Sequence, residues 1–472
     1  MKIENILASF VQSQKTQAFA RQLASTKTRL KVGGLNGSSR SLFAAACASL
    51  TNQPHIFVLS DKEAAAFFYG DLEQIFQEEN ADFSQRQSMF FPESSSLLQE
   101  TKSANNFDVL LRTKMLQRIK QNERLLVVTY PEALIQKIVK QETVDEDTYT
   151  ISQKENLSQD ALLEYLSMNN FEYTDFVFQP GQFSLRGGIV DVFSYANEYP
   201  YRIEFSGDTV ASLRTFEIDT QVSRTILKKI TIIPDFQSKE NNTSKINLFD
   251  TLPPNTILWF EDMAWNMECI QKKYASISEA LEDKTLIRDL YIDDKQFKRS
   301  VLQFSTVEFG TNTSYDLSFN TQPQMPFNKQ FELLINEWLL NYEQGIVNIF
   351  SSLNENQSVR VRNIVRDVLS TQEKYADFEK DYRKKLERDL TSYVSYTLHE
   401  GFIDREQKIA FYTDHQVFNR YHRYKMDDKY KKSESIMLKD IYNLKQGDYV
   451  THIDHGIGQY AGLEKIEIDG KQ

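Results

Sequence analysis

Residues Gly34 to Ser41 (GLNGSSRS) set small side chains between a short strand and a helix, the outline of a loop that cradles phosphate. Such a loop works because glycines let backbone amides approach phosphate oxygens, a lysine ammonium reaches the terminal phosphates, and a hydroxyl holds magnesium. Gly34 and Gly37 are present and Ser41 offers the hydroxyl, but Ser39 stands where the second glycine belongs and Arg40 where the lysine belongs. The planar, bulkier guanidinium is no equivalent of a compact ammonium in a crowded site. The acidic pair Glu261-Asp262, the nearest candidate for a magnesium-holding motif, reads equally as a strand end. The loop is therefore expected to be a turn kept for the fold and inactive toward nucleotide, so that no catalytic residue and no cofactor is assigned.

A second glycine-rich run, GDYVTHIDHGIGQYAGL from Gly447 to Leu463, alternates on a strand and then bends at Gly456, Gly458 and Gly462. That spacing suits the strand-turn-strand opening of an SH3-like or Tudor-like barrel. His452 and His455 lack a companion cluster for zinc, and HEGFI at 399–403 carries Ile403 where a zinc-protease helix needs its second histidine. No metal site is assigned. Cys47 lies in an apolar run far from Cys269, so neither a disulfide nor a ligand pair is expected.

Two arginines sit in period-two strands. In PYRIEF, Tyr201, Ile203 and Phe205 share one face while Arg202 and Glu204 take the other, and Ser206-Gly207-Asp208 supplies the hairpin turn. In GQFSLRGG, Phe183 and Leu185 point inward and Arg186 outward. Both arginines thus belong to an exposed polar sheet face, where a guanidinium is suited to bidentate interface contacts. By contrast Arg360, Arg362 and Arg366 fall on a predicted helix and read as a solvated face.

The elements that position these residues follow from pattern and length. At 472 residues the chain is too long for a single core. Residues 1–147 alternate helix and strand: an N-terminal helix, the turn at 33–39, a helix through 41–50, the strand HIFVLS, a helix over 61–77, then the pair LLVVTY and PEALIQKIV. That rhythm predicts a largely parallel sheet. At 148 the pattern changes to one helix followed by consecutive strands. Ser158 is its N-cap, Leu157 staples onto Leu162, and Leu162, Tyr165 and Leu166 form the buried stripe. After the polar stretch 237–245, NTILWFED and AWNMECIQKKYASI return to α/β alternation, and GIVNIFSS, SYTLHEGF and KIAFYTD are the strands of a further α/β unit. The Lys-rich segment 423–435 reads as a linker.

Forty per cent apolar and twelve per cent aromatic residues describe a folded protein, and no window approaches a membrane span or an export signal, so a cytoplasmic, soluble protein is expected. The net charge of −11 argues against a surface devoted to DNA phosphates and favours a protein partner.

These segments, in this order, resemble the bacterial transcription-repair coupling factors over essentially the whole chain. GDYVTHIDHGIGQYAGL is similar to the start of the family's RNA polymerase-interacting, CarD-like domain; FSLRGGIVDVF, PYRIEF and SLRTFEIDTQ are similar to its UvrB-like repair-protein-docking domain. The resemblance implies an α/β multidomain fold. Its parts are a UvrB-like lobe with a degenerate phosphate loop (1–147 and 238–325), an inserted α+β UvrA-docking domain (148–237) and a further α/β domain (326–422). A linker (423–438) and the beginning of an SH3/Tudor-like barrel (439–472) complete it.

It also implies UvrA and the RNA polymerase β subunit as partners, with ATP, magnesium and most DNA contact belonging to motor domains outside these residues. Carried over by position, Arg186 and Arg202 match arginines that contact UvrA. The aromatic that accompanies them in some members is replaced by Ser206, and its neighbour Phe205 completes the expected UvrA-binding set. Ile457, Tyr460 and Leu463 are the expected neighbours of the polymerase contact. The competing readings are a UvrB-like ATP-dependent damage-recognition protein, which needs a working loop, and a CarD-type regulator, which would begin with the module.

Overall fold

The computed structural model describes residues 2–25, 27–79, 81–82, 85–94, 106–120, 124–140, 148–195, 197–218, 220–235, 245–281, 283–310, 315–371, 385–386, 388–420, 447, 449–452 and 456–459. The chain opens with two helices, α1 (Ile3–Gln12) and α2 (Gln14–Ser25), where the sequence suggests one. Strand β1 (Arg29–Gly33) leads through the glycine-rich turn into α3 (Ser39–Leu50). Then come β2 (His55–Val58), α4 (Lys62–Phe76), β3 (Ser88–Phe90), α5 (Asn106–Lys120) and β4 (Leu126–Thr129).

The expected helix over PEALIQKIV is only one turn, α6 (Pro131–Leu134), followed by the short strand β5 (Ile138–Val139). Tertiary pairing overrides the helical pattern here. The Ile292 amide donates to the Ile135 carbonyl, that of Lys137 to Leu290, and β5 pairs antiparallel with Lys245–Ile246.

The small domain contains β6 (Tyr149–Ser152), α7 (Gln159–Met168), β7 (Glu172–Tyr173), β8 (Gln182–Arg186), β9 (Ile189–Val192), β10 (Tyr201–Ser206), β11 (Thr209–Phe216), β12 (Ser223–Leu227) and β13 (Lys229–Ile232). Its main sheet has the order β12-β11-β10-β9-β8-β7, antiparallel except for β7 against β8, while β6 pairs with β13. Ser158 caps α7 by accepting from the Ala161 amide, as its sequence position implies. Leu162 and Leu166 lay the buried stripe of α7 on Phe183, Val190, Ile203, Phe205 and Leu213, with Leu157 in the same cluster and Tyr165 half-buried at its edge.

The chain then returns to the first lobe through β14 (Lys245–Ile246), β15 (Ile257–Phe260), α8 (Met263–Ala280), α9 (Lys284–Leu290), α10 (Asp294–Val301), β16 (Ser305–Glu308) and β17 (Leu317–Ser318). Together these strands complete a seven-stranded sheet of order β17-β1-β16-β15-β2-β4-β3, all parallel. The continuously apolar strands ILWF and LVVT belong to such a sheet because both of its faces are covered.

A five-stranded unit follows, formed by β18 (Thr321–Pro323), β19 (Val347–Ser351), β20 (Thr391–Val394), β21 (Phe402–Asp404) and β22 (Ile409–Thr413) with α11 (Phe331–Glu343), α12 (Glu355–Thr371) and α13 (Asp414–Val417). The crossing between sheets falls between Ser318 and Thr321, so the strand Thr321–Pro323 already belongs to this unit. The strand expected over SYTLHEGF is not formed. β20 ends at Val394 and 395–401 is a connecting loop, because its polar groups are spent on the first lobe, as described below. Ile349, Val394, Leu398, Phe402 and Phe411 join the core of the first lobe, with Phe402 edge-on to Phe10 at 6.4 Å, while Trp338 and Tyr412 build a second core on the far face.

The hairpin β23 (Tyr449–His452) and β24 (Gly456–Gln459) shows the expected strand-turn-strand with Tyr449 opposite Gln459. The linker, Tyr460 and Leu463 lie outside the described residues, and of the Ile457 side chain nothing is described. Among the described residues no helix is long and apolar enough to cross a membrane, and no group of three His, Cys, Asp or Glu could hold a metal ion.

Candidate functional site

At the carboxyl ends of the parallel strands, the glycine-rich turn carries Gly34 at φ +74° and Gly37 at φ +53°, left-handed conformations that glycine adopts without steric cost. The groups that approach these glycines are protein backbone. A side chain on Gly34 would overlap the Phe319 carbonyl, and one on Gly37 would come within 2.6 Å of the Gly401 carbonyl oxygen. The amide of Ser38 donates to the Glu400 carbonyl at 3.1 Å, and the Glu400 amide returns to the Ser38 hydroxyl at 3.0 Å. Asn36 gives its amide to the Thr321 hydroxyl at 2.7 Å, and the Ser39 and Arg40 amides close on the turn itself. Loop 395–401 and the β17–β18 crossing therefore fill the cradle.

The side chains of the turn are equally engaged. Ser41, buried, donates to Asp71 at 2.7 Å, and Asp71 also accepts the His399 amide at 2.7 Å. Burial pushes the Asp71 carboxyl up to about 6, a shift opposed by these hydrogen bonds. Arg40 is paired with Glu261 at 2.7 Å, and the other Glu261 oxygen accepts the Ser60 amide. The cation at the lysine position and the acid at the end of β15 thus neutralise each other. Sequence pattern gives no sign of this arrangement, because the loop that fills the turn lies more than 350 residues downstream.

A second constellation lies on the outward face of the small domain. Pleating places Ser184, Asp191, Arg202, Arg214 and Ile226 directly opposite one another across β8 to β12. Asp191, with no exposed side-chain surface, accepts from Arg202 Nε at 2.8 Å and Nη2 at 2.9 Å, and from Arg186 Nη2. Arg202 is 14% exposed; its Nη1 donates to the Gln221 carbonyl at 3.0 Å and its guanidinium lies 4.3 Å from the Phe216 ring centre. Arg186 is 37% exposed, with its guanidinium 5.0 Å from the Phe176 ring centre. A buried carboxylate with two forks is well satisfied, and the cluster keeps one net positive charge.

Arg186 and Arg202 thus share the outward face, as their alternation requires, and are joined by Asp191. Phe205 occupies the opposite face, in the core beside Ile203 and Val210. It is therefore a packing residue and does not lie beside the arginines, because the same period-two rule that turns Arg202 outward turns Phe205 inward. Asp191 was legible in principle, being in phase with the outward positions of IVDV. Phe176 was not, since it stands in a loop without periodicity.

Comparison with known proteins adds to this geometry. Residues 149–237 match the family described as "UvrB interaction domain", and residues 444–472 match "CarD-like/TRCF RID domain". Among curated relatives, the transcription-repair-coupling factor of Bacillus subtilis is 24% identical over 93% of this chain, and that of Escherichia coli 19% identical over 93%. The corresponding protein of Rickettsia conorii is 23% identical over 82% of the chain. The chain spans 42% of the length of the first two relatives.

Proposed function

We infer that this chain, which belongs to the transcription-repair-coupling factor family, is a docking platform that brings a nucleotide-excision-repair protein to stalled RNA polymerase. The small domain would bind UvrA through its outward face. The module beginning near residue 444 would engage RNA polymerase, through the β subunit, by a strand edge or a small apolar patch. Ile457, Tyr460 and Leu463 are proposed to lie near that contact. The glycine-rich turn is a degenerate phosphate loop that holds no nucleotide, and any ATP-driven movement on DNA resides outside these residues.

The observation that carries this reading is the Arg186–Asp191–Arg202 cluster, set on the face away from the core, with Arg186 exposed, in a domain that matches the UvrB interaction domain. Arginines anchored by a buried acid on a rigid sheet lose little freedom on binding, the property expected of an interface anchor. The filled turn supports the same reading, since its phosphate-facing groups already have partners.

Titration calorimetry with UvrA tests the docking role. Saturable binding in the micromolar range or tighter is expected, weakened by about tenfold or more when Arg186→Ala and Arg202→Ala are combined. No binding, or binding indifferent to the double substitution, would overturn it. Magnesium-ATP should give no saturable heat up to about a millimolar, a threshold of roughly 4 kcal/mol.

A further inference from the structure

The two arginines of the cluster are not equivalent. All three nitrogens of the Arg202 guanidinium are spent inside the chain, two on Asp191 and one on the Gln221 carbonyl, and its exposed surface is small. Arg186 gives only Nη2 to Asp191; among the described residues its Nε and Nη1 donate to nothing. The outward-directed cation is therefore Arg186, with Arg202 as its buttress.

The ring beside Arg186 comes from an unexpected segment. Phe176 stands in the loop between β7 and β8, half-buried, with its ring centre 5.0 Å from the Arg186 guanidinium. The loop is pinned in that position. Thr174 donates its hydroxyl to the Phe176 carbonyl at 2.8 Å, and Gln182 accepts the amides of Phe178 and Gln179 at 3.0 and 3.2 Å. Phe216, Arg202, Asp191, Arg186 and Phe176 form an alternating row of ring, cation, acid, cation and ring. A guanidinium fixed over a ring keeps its remaining donors directed and loses little entropy when an acid approaches.

We propose that Phe176 and Arg186 together form the specificity-determining anchor of the docking face, receiving a carboxylate side chain of UvrA on the free edge of the Arg186 fork. Phe176 supplies the aromatic surface that Ser206 does not, and Asp191 with Arg202 only positions the anchor. The proposal rests on the docking reading above and deepens it.

The test uses the full 472-residue chain and UvrA titrations of the wild type, Phe176→Ala, Phe176→Tyr, Arg186→Ala and the Phe176→Ala, Arg186→Ala pair. Phe176→Ala and Arg186→Ala are each expected to weaken binding by about tenfold or more, the pair by less than the product of the two, and Phe176→Tyr by less than about threefold. Unchanged amide exchange of the β7–β8 loop and of β8 in free Phe176→Ala separates the ring's role from a failure of the loop to fold. If the wild type binds and Phe176→Ala binds equally well, or if Phe176→Tyr fails as badly as Phe176→Ala, the anchor is wrong while docking stands. Absence of wild-type binding removes both.

Discussion

At the scale of single residues, the glycine-rich turn is explained by what touches it. Gly37 is held at φ +53° with the Gly401 carbonyl where a side chain would go, so Gly37→Ala should destabilise the chain by about 1–3 kcal/mol in urea unfolding. An unchanged midpoint would mean that the loop from 395 to 401 does not press on the turn. Restoring the phosphate-loop chemistry by Ser39→Gly with Arg40→Lys should still yield no saturable magnesium-ATP binding, since the Ser38 amide and Ser41 hydroxyl remain occupied by Glu400 and Asp71. Calorimetry decides it, and binding below about a millimolar would contradict the account. That Ser39 and Arg40 depart from a phosphate loop was legible in the sequence; the backbone that packs on the turn was not, because a carbonyl leaves no mark in the residue type that bears it.

Among the elements, β2 and β15 carry a buried polar pair that alternation alone does not reveal. His55 accepts the Trp259 Nε1–H on Nδ1 at 2.9 Å and faces the Thr51 hydroxyl at 2.8 Å through Nε2. Burial, with Arg124 adding repulsion, lowers its pKa to about 3 from an ordinary 6.5. The unfolded chain therefore takes up this proton first. Stability from a neutral His55 is complete above about pH 6.5 and is lost as pH falls toward about 3, on the order of 5 kcal/mol in all. Histidine NMR resonances should show His55 untitrated between pH 7 and pH 5, where a midpoint near 6.5 would refute the buried neutral ring.

The strands around it were readable as apolar runs. PEALIQKIV and SYTLHEGF depart from their local patterns for opposite reasons: a helical pattern is cut short by strand pairing at Ile138, and a strand-like pattern is pulled into a loop by contacts at His399 and Glu400. In both, a distant segment outcompeted local preference.

Over the whole molecule, the small domain is built round its own core while the five-stranded unit shares one with the first lobe. Unfolding of the lobe and of that unit should therefore be a single cooperative event. Fluorescence-followed urea curves of Trp338→Phe, which leaves Trp259 and Trp265 to report the lobe, and of the Trp259→Phe, Trp265→Phe pair, which leaves Trp338 to report the other core, are each predicted to coincide with that variant's own far-UV dichroism transition for the lobe and unit; two separated steps would show that the shared core does not bind them. The parallel sheet of the first lobe and the shared facing of Arg186 and Arg202 were legible from period and turn chemistry, whereas the sealing of the lobe by the later unit required the assembled chain.

Amide hydrogen exchange of the 472-residue chain with and without UvrA tests the central claim most directly. Added protection is predicted on β8 to β10 and the loop carrying Phe176, with the turn at 34–41 unchanged. Protection confined to the turn, or none on the Arg186 face, would contradict the assignment of this chain as a docking platform.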